Sequence, residues 1–135
     1  MISALIDPYT GLLRTKDQVV AIYTFDDTVN LVQDFTSSPT VVTQAIVSVR
    51  QNVPAVTSTN LYGAIIDGLA KATTQAELTS LTEGHVIVMT DGRDTSSYYS
   101  IYTTASHVST SPNTLHLIGV QSPDLNPSVM KSLAN

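Results

Sequence analysis

Asp91 stands at the end of a short apolar run, directly after residues 86–89 (VIVM) and Thr90, and only polar residues and glycine follow it up to Ser97. A second polar run, residues 57–60 (TSTN), comes just before an amphipathic segment. A carboxylate and a neutral hydroxyl on two loops suit Mg²⁺, which prefers oxygen ligands and uses only one or two carboxylates. The alternative for residues 57–60 is helix capping, because Ser, Thr and Asn accept hydrogen bonds from the amides of a first helical turn.

The pattern of apolar residues predicts which elements position these side chains. Strands and helices alternate, which is typical of a parallel sheet covered on both faces, and ligands bind such sheets at the carboxyl ends of the strands. We therefore expect an α/β fold, a doubly wound, Rossmann-like and mostly parallel sheet with one antiparallel edge strand. The predicted elements are a fully buried strand 18–25, an edge strand 29–35, a helix opening at Pro39, a helix 60–72, a strand 85–90, a helix 98–108, a strand 114–120 and a helix from Pro127.

Two helices have a clear apolar face. In the helix 60–72 the spacing i, i+3, i+4, i+7, i+8 and i+11 predicts one stripe that packs against the sheet. Its members are Leu61, Ala64, Ile65, Gly68, Leu69 and Ala72. In the helix 98–108 the same spacing groups Tyr98, Ile101, Tyr102 and Ala105, so that Tyr98 is expected in the core. The alternative is that Tyr98 or Tyr99, which follow the polar loop after Asp91, contacts a partner.

Composition limits the classes of function. The 135 residues correspond to a single domain, residues 1–135, or to a part of one. A net charge of −5 without a basic cluster argues against nucleic acid and anionic membranes as partners, and no apolar run is long enough for membrane insertion. Only 13% of the residues are charged, and this favours an extracellular or cell-surface location over the cytoplasm.

Residue support for catalysis is weak, and the chain is predicted not to be an enzyme. The histidines stand singly at 85, 107 and 116, without metal-ligand spacing, and no Ser-His-Asp arrangement occurs. Residues 91–95 (DGRDT) resemble a motif of cofactor-independent phosphoglycerate mutases, but the two-metal cluster of that class has no counterpart here. Asp26 and Asp27 are interpreted as turn residues, and Asp94 as a solvated loop residue or an acceptor for metal-bound water.

The order of motifs resembles a von Willebrand factor type A domain. The similarity rests on residues 59–64 (TNLYGA) before an amphipathic helix, on residues 86–92 (VIVMTDG), and on the strand 19–25 followed by Asp26 and Asp27. Such domains bind proteins through a metal-ion-dependent adhesion site. The resemblance implies that Thr59 and Asp91 are metal ligands, that the metal is Mg²⁺ with Mn²⁺ or Ca²⁺ as substitutes, and that an acidic side chain of a protein ligand completes the metal shell.

The chain also departs from that family. Its first metal motif, Asp-x-Ser-x-Ser, and the strand before it are missing, and residues 1–6 (MISALI) resemble the last turns of the first helix. The chain is therefore interpreted as a fragment of such a domain, truncated at both ends. The missing central strand is then supplied by another chain or segment, or the remaining strands of the sheet close the gap.

Three functions follow from the resemblance. The first is a protein-binding adhesion module with a partial metal site. The alternatives are a structural or assembly domain without metal binding, and a subunit of an ATP-driven metal-insertion complex. An Asp-x-Ser-x-Ser motif upstream of Met1 in the source gene would favour the first over the second.

Overall fold

The computed structural model describes residues 17–51, 58–81, 83–120 and 122–134. The proposed helix end at residues 1–6 and the hydroxyl of Thr57 lie outside these ranges. Within them the chain has the mixed α/β composition that the sequence predicts. The elements are β1 (Val20–Phe25), β2 (Val29–Thr36), α1 (Pro39–Gln51), α2 (Leu61–Thr79), β3 (His85–Thr90), α3 (Ile101–Thr110), β4 (Thr114–Gly119) and α4 (Pro127–Leu133).

Two compact units make up the chain. The first consists of Met1–Thr24 and Asn30–Val56, and the second of Phe25–Val29 and Thr57–Asn135. In the first unit β1 and β2 form the predicted antiparallel hairpin. Every residue of β1 is half-buried, so the prediction of a fully buried strand is wrong, because β1 has only β2 as a partner among the described strands. Val42 and Ala45 of α1 are buried.

The second unit contains a parallel pair of strands, β3 and β4, connected through α3. Their register runs from His85 opposite Thr114 to Thr90 opposite Gly119. The backbone N–H of Val120 continues the ladder by donating to the Thr90 carbonyl at 2.8 Å. This pairing is the parallel arrangement that alternating strands and helices predict. The described strands form two separate two-stranded sheets, so a single doubly wound sheet stays a prediction.

The β3–β4 sheet is covered by helices on one face. Val88 and Leu115 point into the core, where α2 packs against β3 and α3, and α4 packs against α3 and β4. The opposite face is exposed to solvent at four positions, namely His85, Ile87, Thr114 and His116. The described residues therefore depart from the expectation of a sheet that is buried on both faces.

Helix α2 supplies the centre of the core. Ile65 is 0% exposed, and Leu61 and Leu69 are nearly as buried, which confirms the predicted stripe. The helix continues seven residues beyond the predicted end, because the hydroxyls of Thr73 and Thr74 bond carbonyls four residues back instead of breaking it. It ends at Ser80, whose φ of 57° is left-handed. None of the described helices combines the length and the hydropathy that a membrane span requires.

Asn113 connects β4 to α2. Its side chain is buried, and its Nδ2 donates to the Leu69 carbonyl at 3.2 Å and to the Thr73 hydroxyl at 2.7 Å. Gly84 leaves room for this amide, since a Cβ at Gly84 would lie only 2.0 Å from Asn113 Oδ1. The start of β4 is thereby fixed to the middle of α2.

Helix α3 begins three residues later than the sequence predicts. Ser100 caps it by accepting a hydrogen bond from the Thr103 N–H, which leaves Tyr98 outside the helix. Tyr98 is 98% exposed, so the prediction that it belongs to the core is wrong. The buried face is formed by Thr104 and Val108, with Ile101 and Ala105 half-buried beside them.

Candidate functional site

The segment before α2 is anchored to the hairpin turn. Asn60 is the N-cap, and its Oδ1 accepts a hydrogen bond from the Gly63 N–H at 3.0 Å. Its backbone N–H donates to the Asp26 carbonyl, and its Nδ2 donates to the Asp27 carbonyl at 3.2 Å. The Asp26 carboxylate accepts from the Thr28 N–H, which lowers the pKa of Asp26, so both aspartates are turn residues as predicted.

Thr59 is bonded to the loop that follows β3. Its N–H donates to the Thr95 hydroxyl at 2.8 Å, and its carbonyl accepts from the N–H groups of Thr95 at 2.8 Å and Ser96 at 3.3 Å. A Cβ built on Gly92 would lie 3.5 Å from Thr59 Oγ1, an ordinary van der Waals contact. The Thr59 hydroxyl is therefore beside the residue that follows Asp91, at the carboxyl end of β3.

Asp91 itself is held by its backbone, and its side chain is exposed. The Ser122 hydroxyl donates to the Asp91 carbonyl, and the Thr90 hydroxyl lies within hydrogen-bond distance of both the N–H and the carbonyl of Gly92. These contacts fix the first residues of the loop without using the carboxylate. We name the surface formed by Thr59 and residues 91–95 the rim.

The Asp94 carboxylate caps α2 together with Asn60. Its Oδ1 accepts from the Tyr62 N–H at 3.0 Å and its Oδ2 from the Ser97 N–H at 3.3 Å. Burial, and then the negative charge of Asp94, raise the pKa of the Tyr62 phenol. The prediction of a solvated loop residue is wrong for Asp94, which is half-buried. A carboxylate already lies at the positive end of the α2 dipole, so this helix end is not open to a partner.

The oxygen donors of the rim fit a hard cation in part. The Thr59 hydroxyl and the Asp91 carboxylate are oxygen donors, the type of ligand that Mg²⁺ binds without thiolates or imidazoles. The Asp94 carboxylate is engaged with amide groups. Among the described residues no group of three or more His, Cys, Asp or Glu side chains is arranged to hold a metal ion. A cation held by Thr59 and Asp91 alone would take the rest of its coordination shell from water.

Aromatic side chains follow the rim in the same loop. Tyr98 and Tyr99 lie edge to face, with ring centroids 6.1 Å apart, and Tyr102 in the first turn of α3 is 85% exposed. Exposed tyrosines are typical of protein-binding surfaces, where a rigid ring contributes a large contact area. Helical periodicity had placed Tyr98 in the core, and the exposure of its ring instead agrees with the alternative that Tyr98 or Tyr99 contacts a partner.

A cleft of about 150 Å³ opens between the rim and α4. Its lining combines polar groups of the loop, at Gly92 and Asp94, with the side chains of Val129 and Met130. An apolar surface therefore lies next to the rim.

The histidines lie away from the rim. His85 is the first residue of β3, and His107 is exposed on the surface of α3. His116 is exposed on β4 and its ring stacks on that of His85, an arrangement that the spacing of 31 residues in the sequence does not predict.

Comparison with known proteins does not assign the chain to a family. The sequence matches no family model, and no curated protein is significantly similar to it.

Proposed function

We propose that this chain is a protein-binding module of the von Willebrand factor type A kind and that its partner contacts the rim. The observation that carries the proposal is the pairing of Thr59 with Thr95 and Ser96 through both its N–H and its carbonyl. The hydroxyl that precedes α2 and the carboxylate that follows β3 are thereby held at one edge. The exposed tyrosines 98, 99 and 102 extend this surface with groups suited to protein contact.

Mg²⁺ is the cation that we propose for the rim, with Mn²⁺ or Ca²⁺ as substitutes. Thr59 and Asp91 would hold it, and the ion would supply a positive charge for an acidic side chain of the protein ligand. The exposed Asp91 carboxylate supports this proposal, because its backbone is fixed and its side chain is available. The partial donor set supports a shared site, which the partner completes.

The doubly wound sheet is part of the same proposal. β1 pairs only with β2, and β3 only with β4, among the described strands. A strand buried in a doubly wound sheet has a partner on each side. We propose that a further strand, from another segment or another chain, completes the doubly wound sheet.

The isolated chain should bind Mg²⁺ weakly. Two protein ligands leave most of the coordination shell to water, and we expect a dissociation constant of about 1 mM or weaker. Calorimetric titration with MgCl₂ measures it, and Asp91→Ala should change the melting temperature without metal by only about 1 or 2 °C. Micromolar binding that is lost in Asp91→Ala would contradict this prediction, because it would show that the chain alone supplies a complete set of metal ligands.

Capture of a partner tests the function directly. The immobilised chain, with Mg²⁺ present, is exposed to an extract of its source, and retained proteins are compared with those retained by Asp91→Ala and Thr59→Ala. Glu77→Ala is the matched control, because it removes the same charge from an exposed position on α2. We expect a protein that the wild type and Glu77→Ala retain and that the two rim variants and EDTA release. Equal retention by all variants would show that the retained proteins bind without the rim and would contradict the proposal.

A further inference from the structure

His85 and His116 form a pair on the exposed face of the β3–β4 sheet. His116 lies opposite Ile87 in the register, so His85 and His116 are diagonal neighbours across the two strands. His85 Nδ1 and His116 Nε2 are 3.1 Å apart, and the ring planes are inclined by 27°. Asp91 lies six positions after His85, a distance of about 20 Å along the strand, so the histidine pair is separate from the rim.

The separation of the two nitrogens suits one shared metal ion. Imidazole nitrogens bind divalent transition metals at about 2.0–2.1 Å. Two such bonds to nitrogens 3.1 Å apart enclose an angle of about 95–100° at the metal. This value is close to the right angle between adjacent ligands in tetragonal geometry, which Cu²⁺ and Ni²⁺ adopt, and lies below the tetrahedral angle that Zn²⁺ prefers.

Glu83 favours the tautomer of His85 that this site needs. Its Oε2 lies 3.7 Å from His85 Nε2, the nitrogen that does not face His116. A carboxylate beside one ring nitrogen favours a proton there and leaves a lone pair on the other, as in carboxylate–histidine–metal arrangements. With this tautomer, His85 Nδ1 accepts a hydrogen bond from the N–H of His116 Nε2 in the metal-free protein.

Metal binding requires only local changes. The proton on His116 Nε2 moves to its Nδ1 by exchange with water, so two neutral imidazoles each present a lone pair and no proton is lost overall. Both side chains are exposed, so each ring can turn until these lone pairs converge on one point. Water molecules occupy the other metal positions.

We propose that His85 and His116 form a binding site for a tetragonal divalent transition metal, Cu²⁺ or Ni²⁺, that bridges β3 and β4. Because its donors are nitrogens, this site would select these metals over Mg²⁺, which prefers oxygen ligands. Because the two ligands belong to different strands, the ion would bind the folded protein better than the unfolded chain and raise its melting temperature.

Calorimetric titration of the untagged full chain with NiCl₂ near neutral pH tests the site. We expect one equivalent to bind, and His85→Asn and His116→Asn should each weaken binding by at least about tenfold, the loss expected when even an outer-shell partner of a metal site is removed. His107→Asn is the matched control, because His107 is exposed on α3 and should not contribute. Circular dichroism without metal verifies that all three variants fold.

Electron paramagnetic resonance of the wild type with one equivalent of CuCl₂ is a second measurement that needs no variant. We expect a tetragonal spectrum with hyperfine splitting from two nitrogen donors. Absence of saturable binding, a spectrum with one nitrogen donor, or an equal loss of affinity in His107→Asn would overturn the proposal.

Discussion

Replacing Ile65 by alanine should lower the free energy of unfolding by about 2–5 kcal/mol. Ile65 is 0% exposed and lies within the cluster of buried side chains from α2, β3, α3, β4 and α4. The substitution removes three carbon atoms from this packing and leaves a cavity, and the higher helix propensity of alanine returns less than about 0.7 kcal/mol. Urea unfolding followed by circular dichroism measures the loss.

Leu78 provides the matched control on the same helix. It is 76% exposed, so Leu78→Ala should change the free energy of unfolding by no more than about 0.5 kcal/mol. If Ile65→Ala leaves too little folded protein, Ile65→Val should still cost about 0.5–1.5 kcal/mol. Equal losses at positions 65 and 78 would show that α2 buries a different face.

Replacing Asp94 by alanine should lower the free energy of unfolding by about 1–3 kcal/mol. The Asp94 carboxylate accepts hydrogen bonds from the Tyr62 and Ser97 N–H groups, and its charge lies at the positive end of the α2 dipole. Alanine leaves both amides without this acceptor and loosens the connection between the rim loop and α2. Thermal and urea unfolding both report the effect.

Asp91→Ala is the control that distinguishes the loss of the Asp94 cap from the loss of one negative charge. Asp91 is three residues away in the same loop, but its carboxylate is exposed, so we expect a change within about 0.5 kcal/mol. A cost at Asp91 as large as that at Asp94 would mean that the Asp91 carboxylate is used within the fold and is not available to a cation. No cost at Asp94 would contradict its capping role.

Local patterns predict the elements of this fold well, because each depends on spacing within one segment. The stripe through Leu61, Ile65 and Leu69 follows from the helical period, and the parallel strands β3 and β4 follow from short apolar runs on either side of a helix. The meeting of Thr59 with the loop after Asp91 follows from a general rule, since loops at the carboxyl ends of strands open onto one edge.

Features that depend on tertiary register could not be predicted in this way. His85 and His116 become neighbours only when the β3–β4 register is known. Asp94 reaches the first turn of α2 across 32 positions of sequence, although a carboxylate three residues before Ser97 is a signal for a local turn. Tyr98 fits the helical period of α3, but that helix begins only after its N-cap at Ser100 and leaves Tyr98 outside.

Helix α2 is held at its middle and exposed at its end, and this difference sets where the chain opens first. Asn113 fixes the Leu69 carbonyl and the Thr73 hydroxyl, whereas Leu78 and Thr79 in the last turn are exposed. The last turn can unwind and reform without disturbing Ile65, while opening the middle of the helix would disrupt the core. Amide hydrogen exchange should therefore divide α2 into a rapidly exchanging end and a protected remainder whose exchange follows global unfolding.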